Sequence, residues 1–111
     1  FANGYHNLEA HPSSKVIEID PRTNEFVWEY RSKPAWQFSS HFISSAQRLP
    51  NDNTLICEGA TGRMFEVTKN HEIVWEFVNP LFGEHPRHGS VNCAFRARRY
   101  APDHPGLANR F

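Results

Sequence analysis

Apolar and polar residues alternate along Lys15–Asp20 (KVIEID) and again along Glu25–Tyr30 (EFVWEY). That is the two-residue period of a half-buried strand, not the 3.6-residue period of a helix. The intervening DPRTNE combines Pro, Asp and Asn, which favour tight turns, so residues 14–30 are predicted to form a hairpin. The same pattern returns as GRMFEVTKNHEIVWEF from Gly62, pairing Ile17 with Phe65, Glu18 with Glu66, Ile19 with Val67, Val27 with Val74, Trp28 with Trp75, Glu29 with Glu76 and Tyr30 with Phe77. The offset is 48 before the turn and 47 after it. One residue is therefore lost in the turn, where an indel shifts no packed face out of register.

Ahead of the second hairpin, alternation predicts a strand from Ile43 to Leu49, a PNDN turn, and a strand from Thr54 to Glu58. Four short strands at a period of 40 to 50 residues are the mark of a β-propeller blade. The expected class is all-β, with four-stranded antiparallel blades and an incomplete ring. Residues 41–79 are expected to form a complete blade, residues 1–34 the outer strands of the preceding one, and residues 88–100 (within HGSVNCAFRARRY) the inner strand of the next. A propeller closes with about four to eight blades, so the remaining blades are expected from the same parent protein, from other chains, or from copies of this one. Tryptophans at matched repeat positions, Trp28 and Trp75, are expected to pack between blades.

Hydrophobic residues at 39% and aromatics at 14% suffice for a packed core. Twelve basic and twelve acidic residues cancel, which removes bulk charge as a reason to bind nucleic acid or an anionic membrane. No apolar run is long enough to span a bilayer. Cys57 and Cys93 are too far apart for a CxxC motif; Cys57, within TLICEG, is expected to be a buried thiol, and a disulfide between neighbouring inner strands stays open. His6, His11, His71 and His104 fall in turns or termini and are expected to be solvated. Glu84, His85 and His88 have a spacing that suits a metal but lack a third firm ligand, so no metal site is expected.

SAQRLPNDNTLICEGATGRMFEVTKNHEIVWEF, with the trailing NCAFRARRYAPDHPG, resembles the blades of the arylsulfotransferase (arylsulfate sulfotransferase) family, over about residues 13–107. The resemblance implies a sulfuryl transferase that moves the group from a phenolic sulfate ester to another phenol without a nucleotide cofactor. It also favours an extracytoplasmic, periplasmic or secreted, location. In that family a histidine at the channel mouth carries the sulfuryl group, with further His, Arg and Asn around it. The chemistry suits those side chains. A neutral imidazole is a competent nucleophile near pH 7, and guanidinium donors match a tetrahedral oxyanion.

Two stretches lead into inner strands here, WQFSSHFISSAQR and HPRHGSVNCAFRAR. They nominate His41 and His88 as catalytic, with Arg48, Asn92 and Arg96 as substrate-binding groups. Where the family carries an H-x-N run, this chain reads HFISS and HGSVN. Arg48 suits a channel role or a structural salt bridge equally, and alternation divides Arg96, Arg98 and Arg99 between two faces. Two alternatives stand beside the transferase. One is a non-catalytic scaffold or binding module. The other, a quinone-cofactor propeller, lacks its glycine-rich docking repeat and calcium ligands.

Overall fold

Each predicted hairpin forms, and each carries the same irregularities at the same repeat positions. The computed structural model describes residues 1–5 and 12–110. A three-stranded antiparallel sheet contains β1 (Ala2–Tyr5), β2 (Pro12–Asp20) and β3 (Glu25–Tyr30) in that order. A four-stranded sheet follows, β4 (Ser44–Arg48), β5 (Thr54–Glu58), β6 (Arg63–Val67) and β7 (Ile73–Val78), again in sequence order. The register breaks by one residue between Glu18 and Ile19 and, at the equivalent place, between Glu66 and Val67. Asn24 and His71, matched in the two turns, both have positive φ (58° and 69°). Cross-strand ion pairs repeat as well, Lys15 with Glu29 at 3.6 Å and Arg63 with Glu76 at 2.6 Å.

The core lies between the two sheets. Val16 and Tyr30 from the first meet Ile56, Phe65 and Val67 from the second, with Phe38 of the connection wedged among them. The rings of Phe38 and Phe65 meet edge to face at 5.4 Å, and Tyr30 lies 5.7 and 5.8 Å from them. Trp28 stands at the rim, where its Nε1 donates to the Lys69 carbonyl at 3.1 Å. His71 is exposed, as expected, and its imidazole also sets edgewise against Trp28 at 5.7 Å and Tyr30 at 5.6 Å. The outer turn of one blade thus leans over the outer strand of the other, a contact between sheets that no local pattern reveals.

A third, small sheet pairs β8 (Gly83–His85) with β9 (Gly89–Val91). The inner strand expected over 88–100 is a strand only at Gly89–Val91; among the described residues, 92–100 have no ladder partner. They run instead past the face of the second blade. The Ala94 N–H donates to the Gly59 carbonyl at 2.9 Å, Ala97 N–H to Ser45 Oγ at 3.3 Å and Arg99 N–H to Gln47 Oε1 at 3.0 Å. Two glycines permit this approach: a Cβ on Gly59 would meet the Ala94 oxygen at 2.3 Å, and one on Gly62, at φ 68°, the Asn92 oxygen at 2.2 Å.

The radius of gyration is 15.6 Å and the extents are 53 × 43 × 25 Å, against about 13 Å for a closed domain of this length. The sheets therefore form an open sector, and none closes on itself. Among the described residues no helix is long and apolar enough to cross a membrane.

Candidate functional site

The connection from Phe38 to Ile43 carries His41, and both sheets hold it. The Ser40 N–H donates to Ser14 Oγ at 2.8 Å, and the Ser14 N–H to the Phe38 carbonyl at 2.7 Å. On the other side Ser40 Oγ accepts from the Ala60 N–H at 2.9 Å and donates to the Ile43 carbonyl. Glu58, buried at the end of β5, accepts from the Ser39 N–H at 3.2 Å and the Thr61 hydroxyl at 2.6 Å. Burial pushes its carboxyl above the usual range, against the pull of Thr61 and Arg63. A connection anchored at Ser14, Glu58 and Ala60 turns His41 and Phe42 outward, and both are exposed.

His88 arrives from the turn between β8 and β9. Its ring centre lies 6.2 Å from that of His41 at 71°, and Phe42 stacks on it at 5.7 Å and 21°. His85 also stacks on His88, at 4.7 Å. Two successive lead-in loops, 47 residues apart (41 to 88), thus bring their histidines together. His85 Nδ1 already accepts from the Arg87 N–H at 3.1 Å, and among the described residues no three His, Cys, Asp or Glu groups are arranged to hold a metal ion.

Arg96 occupies the rim of a cleft of about 490 Å³, lined by Ser44–Gln47 of the inner strand and by Ala97, Arg98 and Phe1. Arg96 and Arg98 face this cleft while Arg99, one residue on, turns to the opposite side. Arg48 is engaged elsewhere. It sits at the far end of β4 from His41, donates through Nε to Glu18 at 2.9 Å and through Nη1 to Thr54 Oγ1 at 2.9 Å, and stacks over Trp28 at 4.6 Å. Its guanidinium therefore ties the second blade to the first. Asn92 is likewise committed: its Nδ2 donates to the Asn79 carbonyl and its carbonyl accepts from Asn79 Nδ2, both at 3.0 Å. The structure thus brings His41 and His88 together, sets Arg96 beside the inner strand, and places Arg48 and Asn92 in contacts that hold the scaffold.

Sequence reasoning missed Arg99, which repeats the Arg48 arrangement on the next face. Arg99 pairs with Glu66, the equivalent of Glu18, and lies 4.8 Å over Trp75, the equivalent of Trp28. The signal was present: setting AQRLPND against ARRYAPD places Arg99 opposite Arg48. His6 and His11 lie outside the described residues. His104 Nδ1 accepts from the Gly106 N–H at 3.0 Å and its ring packs on Tyr100. Both cysteines are free; burial raises the Cys57 thiol pKa, and its Sγ lies 3.5 Å from the Ala94 carbonyl.

A search of curated proteins and one of solved structures return no match. The family model for arylsulfotransferase (ASST) matches residues 1–80, ending before His88, Asn92 and Arg96. With a family match over most of its length, the chain belongs to the arylsulfotransferase family.

Proposed function

We propose that this chain supplies one sector of a propeller that transfers sulfuryl groups between phenols, with His41 and His88 at the reacting centre and Arg96 on the substrate. The observation that carries the reading is the 6.2 Å approach of two imidazoles, His41 from the connection before β4 and His88 from the turn between β8 and β9. In the first step one imidazole nitrogen attacks sulfur, the N–S bond forms, and the S–O bond to the aryl group breaks to release a phenolate. The neighbouring imidazole supplies the proton that the phenolate takes up. In the second step the acceptor phenol gives its proton back to that imidazole as its oxygen attacks sulfur and the N–S bond breaks. Phe42, stacked beside His88, offers a ring face to the aryl group, and Arg96 and Arg98 offer forked donors to the sulfuryl oxygens. The sulfate ester itself is the donor, so the scheme requires no nucleotide cofactor.

The test is release of nitrophenol from 4-nitrophenyl sulfate with phenol as acceptor, followed by mass spectrometry for a sulfuryl adduct on a histidine. Turnover that falls roughly 100-fold or more in both His41→Ala and His88→Ala is expected. Unchanged turnover in both variants would refute the assignment. Absence of turnover in the unaltered chain, assembled or not, would favour the non-catalytic scaffold.

A further inference from the structure

Among the described residues the His41 imidazole meets other rings, Phe42 at 4.8 Å and His88 at 6.2 Å, and its place is set by the backbone that carries it. That backbone is held at the residue before it. Ser40 is fully buried, and each of its polar groups goes to a different element. Its N–H donates to Ser14 Oγ at 2.8 Å, on β2 of the first blade. Its hydroxyl accepts from the Ala60 N–H at 2.9 Å, in the turn between β5 and β6 of the second blade. The same hydroxyl donates to the Ile43 carbonyl, which closes the chain behind His41 and Phe42 and leaves both side chains facing outward. A hydroxyl can fill this place because it donates and accepts at once.

Building on the transferase reading above, we infer that Ser40 is a positioning residue: it sets the approach of His41 to His88, and does so only while both blades hold it. Without the hydroxyl, the Ala60 N–H and the Ile43 carbonyl lose the partner that fixes the span between them. Without Ser14 Oγ, the connection keeps its bonds to the second blade and loses one of its two ties to the first; the other is the Ser14 N–H to the Phe38 carbonyl at 2.7 Å. In either case His41 moves against His88, which rides on the separate turn between β8 and β9. The geometry of the pair is thereby coupled to the docking of one blade on the other. Ser40 is closed off from any ligand by its own burial, so its effect passes through His41.

The test compares the ring-to-ring nuclear Overhauser cross-peak of His41 with His88 in the full chain, in Ser40→Ala and in Ser14→Ala. The Tyr30 and Phe65 pair in the same spectra reports the core between the blades. Leu49→Ala, at a buried position just past the far end of β4, controls for lost stability alone. Both serine variants are expected to weaken the histidine cross-peak by about half or more relative to the reference, as a displacement of about 1 Å would, and to lower kcat about 10–100-fold with KM little changed. Leu49→Ala is expected to keep both. If Ser40→Ala fails to fold, Ser14→Ala, which retains the Ser40 hydroxyl, decides the matter. Full cross-peaks in the folded serine variants would overturn the inference, and so would equal weakening in Leu49→Ala, which would reduce Ser40 to general support of the fold. Absence of the cross-peak from the unaltered chain would overturn the role and the site together. Absence of turnover in a chain that shows the cross-peak would overturn the transferase reading alone, because the ring comparison decides the role of Ser40 without it.

Discussion

Tyr30 and Phe77 hold the same place in consecutive repeats, and replacing each by alanine measures what a covering blade contributes. Tyr30 is almost wholly buried, with Phe38, Phe65 and His71 all within 5.8 Å of its ring centre. Removing a large buried aromatic ring costs about 3–5 kcal/mol, transfer and cavity together. Phe77 keeps 45% of its surface in water, and its one ring contact among the described residues is Trp75 at 6.3 Å. About half of a full-burial contribution of about 1.5–3 kcal/mol gives about 1 kcal/mol. Tyr30→Phe, which keeps the ring, serves as the control for the hydroxyl. The assay is urea and thermal denaturation, each followed by circular dichroism. In melting temperature the gap between the two alanine variants is roughly 10 °C or more, at about 4–8 °C per kcal/mol for a domain of this size. Equal losses at the two positions would refute the claim that stability resides in the contact between blades.

Two further outcomes follow from the same geometry. Arg99→Met leaves a Glu66 side chain only 6% exposed without its guanidinium, whereas Arg48→Met strands a Glu18 side chain that is 45% exposed. The first is expected to cost about 3 kcal/mol and the second about 1 kcal/mol by denaturation; the reverse order would contradict the assigned burial. Glu58 sets a pH dependence, because burial raises its pKa above the ordinary 4.5. The folded chain then keeps a proton that the unfolded chain has released, so stability falls as pH rises from 4.5 through the raised value. Glu58→Gln removes that titration. The stability of the variant relative to the parent is expected to grow across this window and level off above it, and a difference independent of pH would contradict the assignment.

The hairpins and the repeat were legible because a period of two and a turn rich in Pro, Asp and Asn are local signals. Trp28 was legible too, since a large aromatic in an alternating strand packs on the neighbouring sheet; its match Trp75 is 40% exposed and, among the described residues, meets only Phe77 and Arg99. By alternation along the inner strand Arg48 suits a channel role or a structural salt bridge equally, and the structure pairs it with Glu18. In stacked sheets both faces of a strand meet neighbouring blades, and only its unpaired edge borders a channel. Alternation therefore points Arg48 at Trp28 and Arg99 at Trp75. The ring contacts of the exposed His71 and the path of residues 92–100 escaped sequence reasoning for a related reason: each is decided by contact with another sheet. The approach of His41 to His88 depended on the same long-range packing, and the repeat located the loops without setting the distance between their rings.

The most direct test of the account is a nuclear Overhauser measurement between the His41 and His88 rings in the unaltered chain, with the Tyr30 and Phe65 pair as the internal reference. At centroid separations of 6.2 Å and 5.8 Å, ring-to-ring cross-peaks are expected for both pairs, along with one between Phe42 and His88. A reference pair that gives its cross-peak while His41 and His88 give none would leave the blades packed as described, and would contradict the site assigned to them.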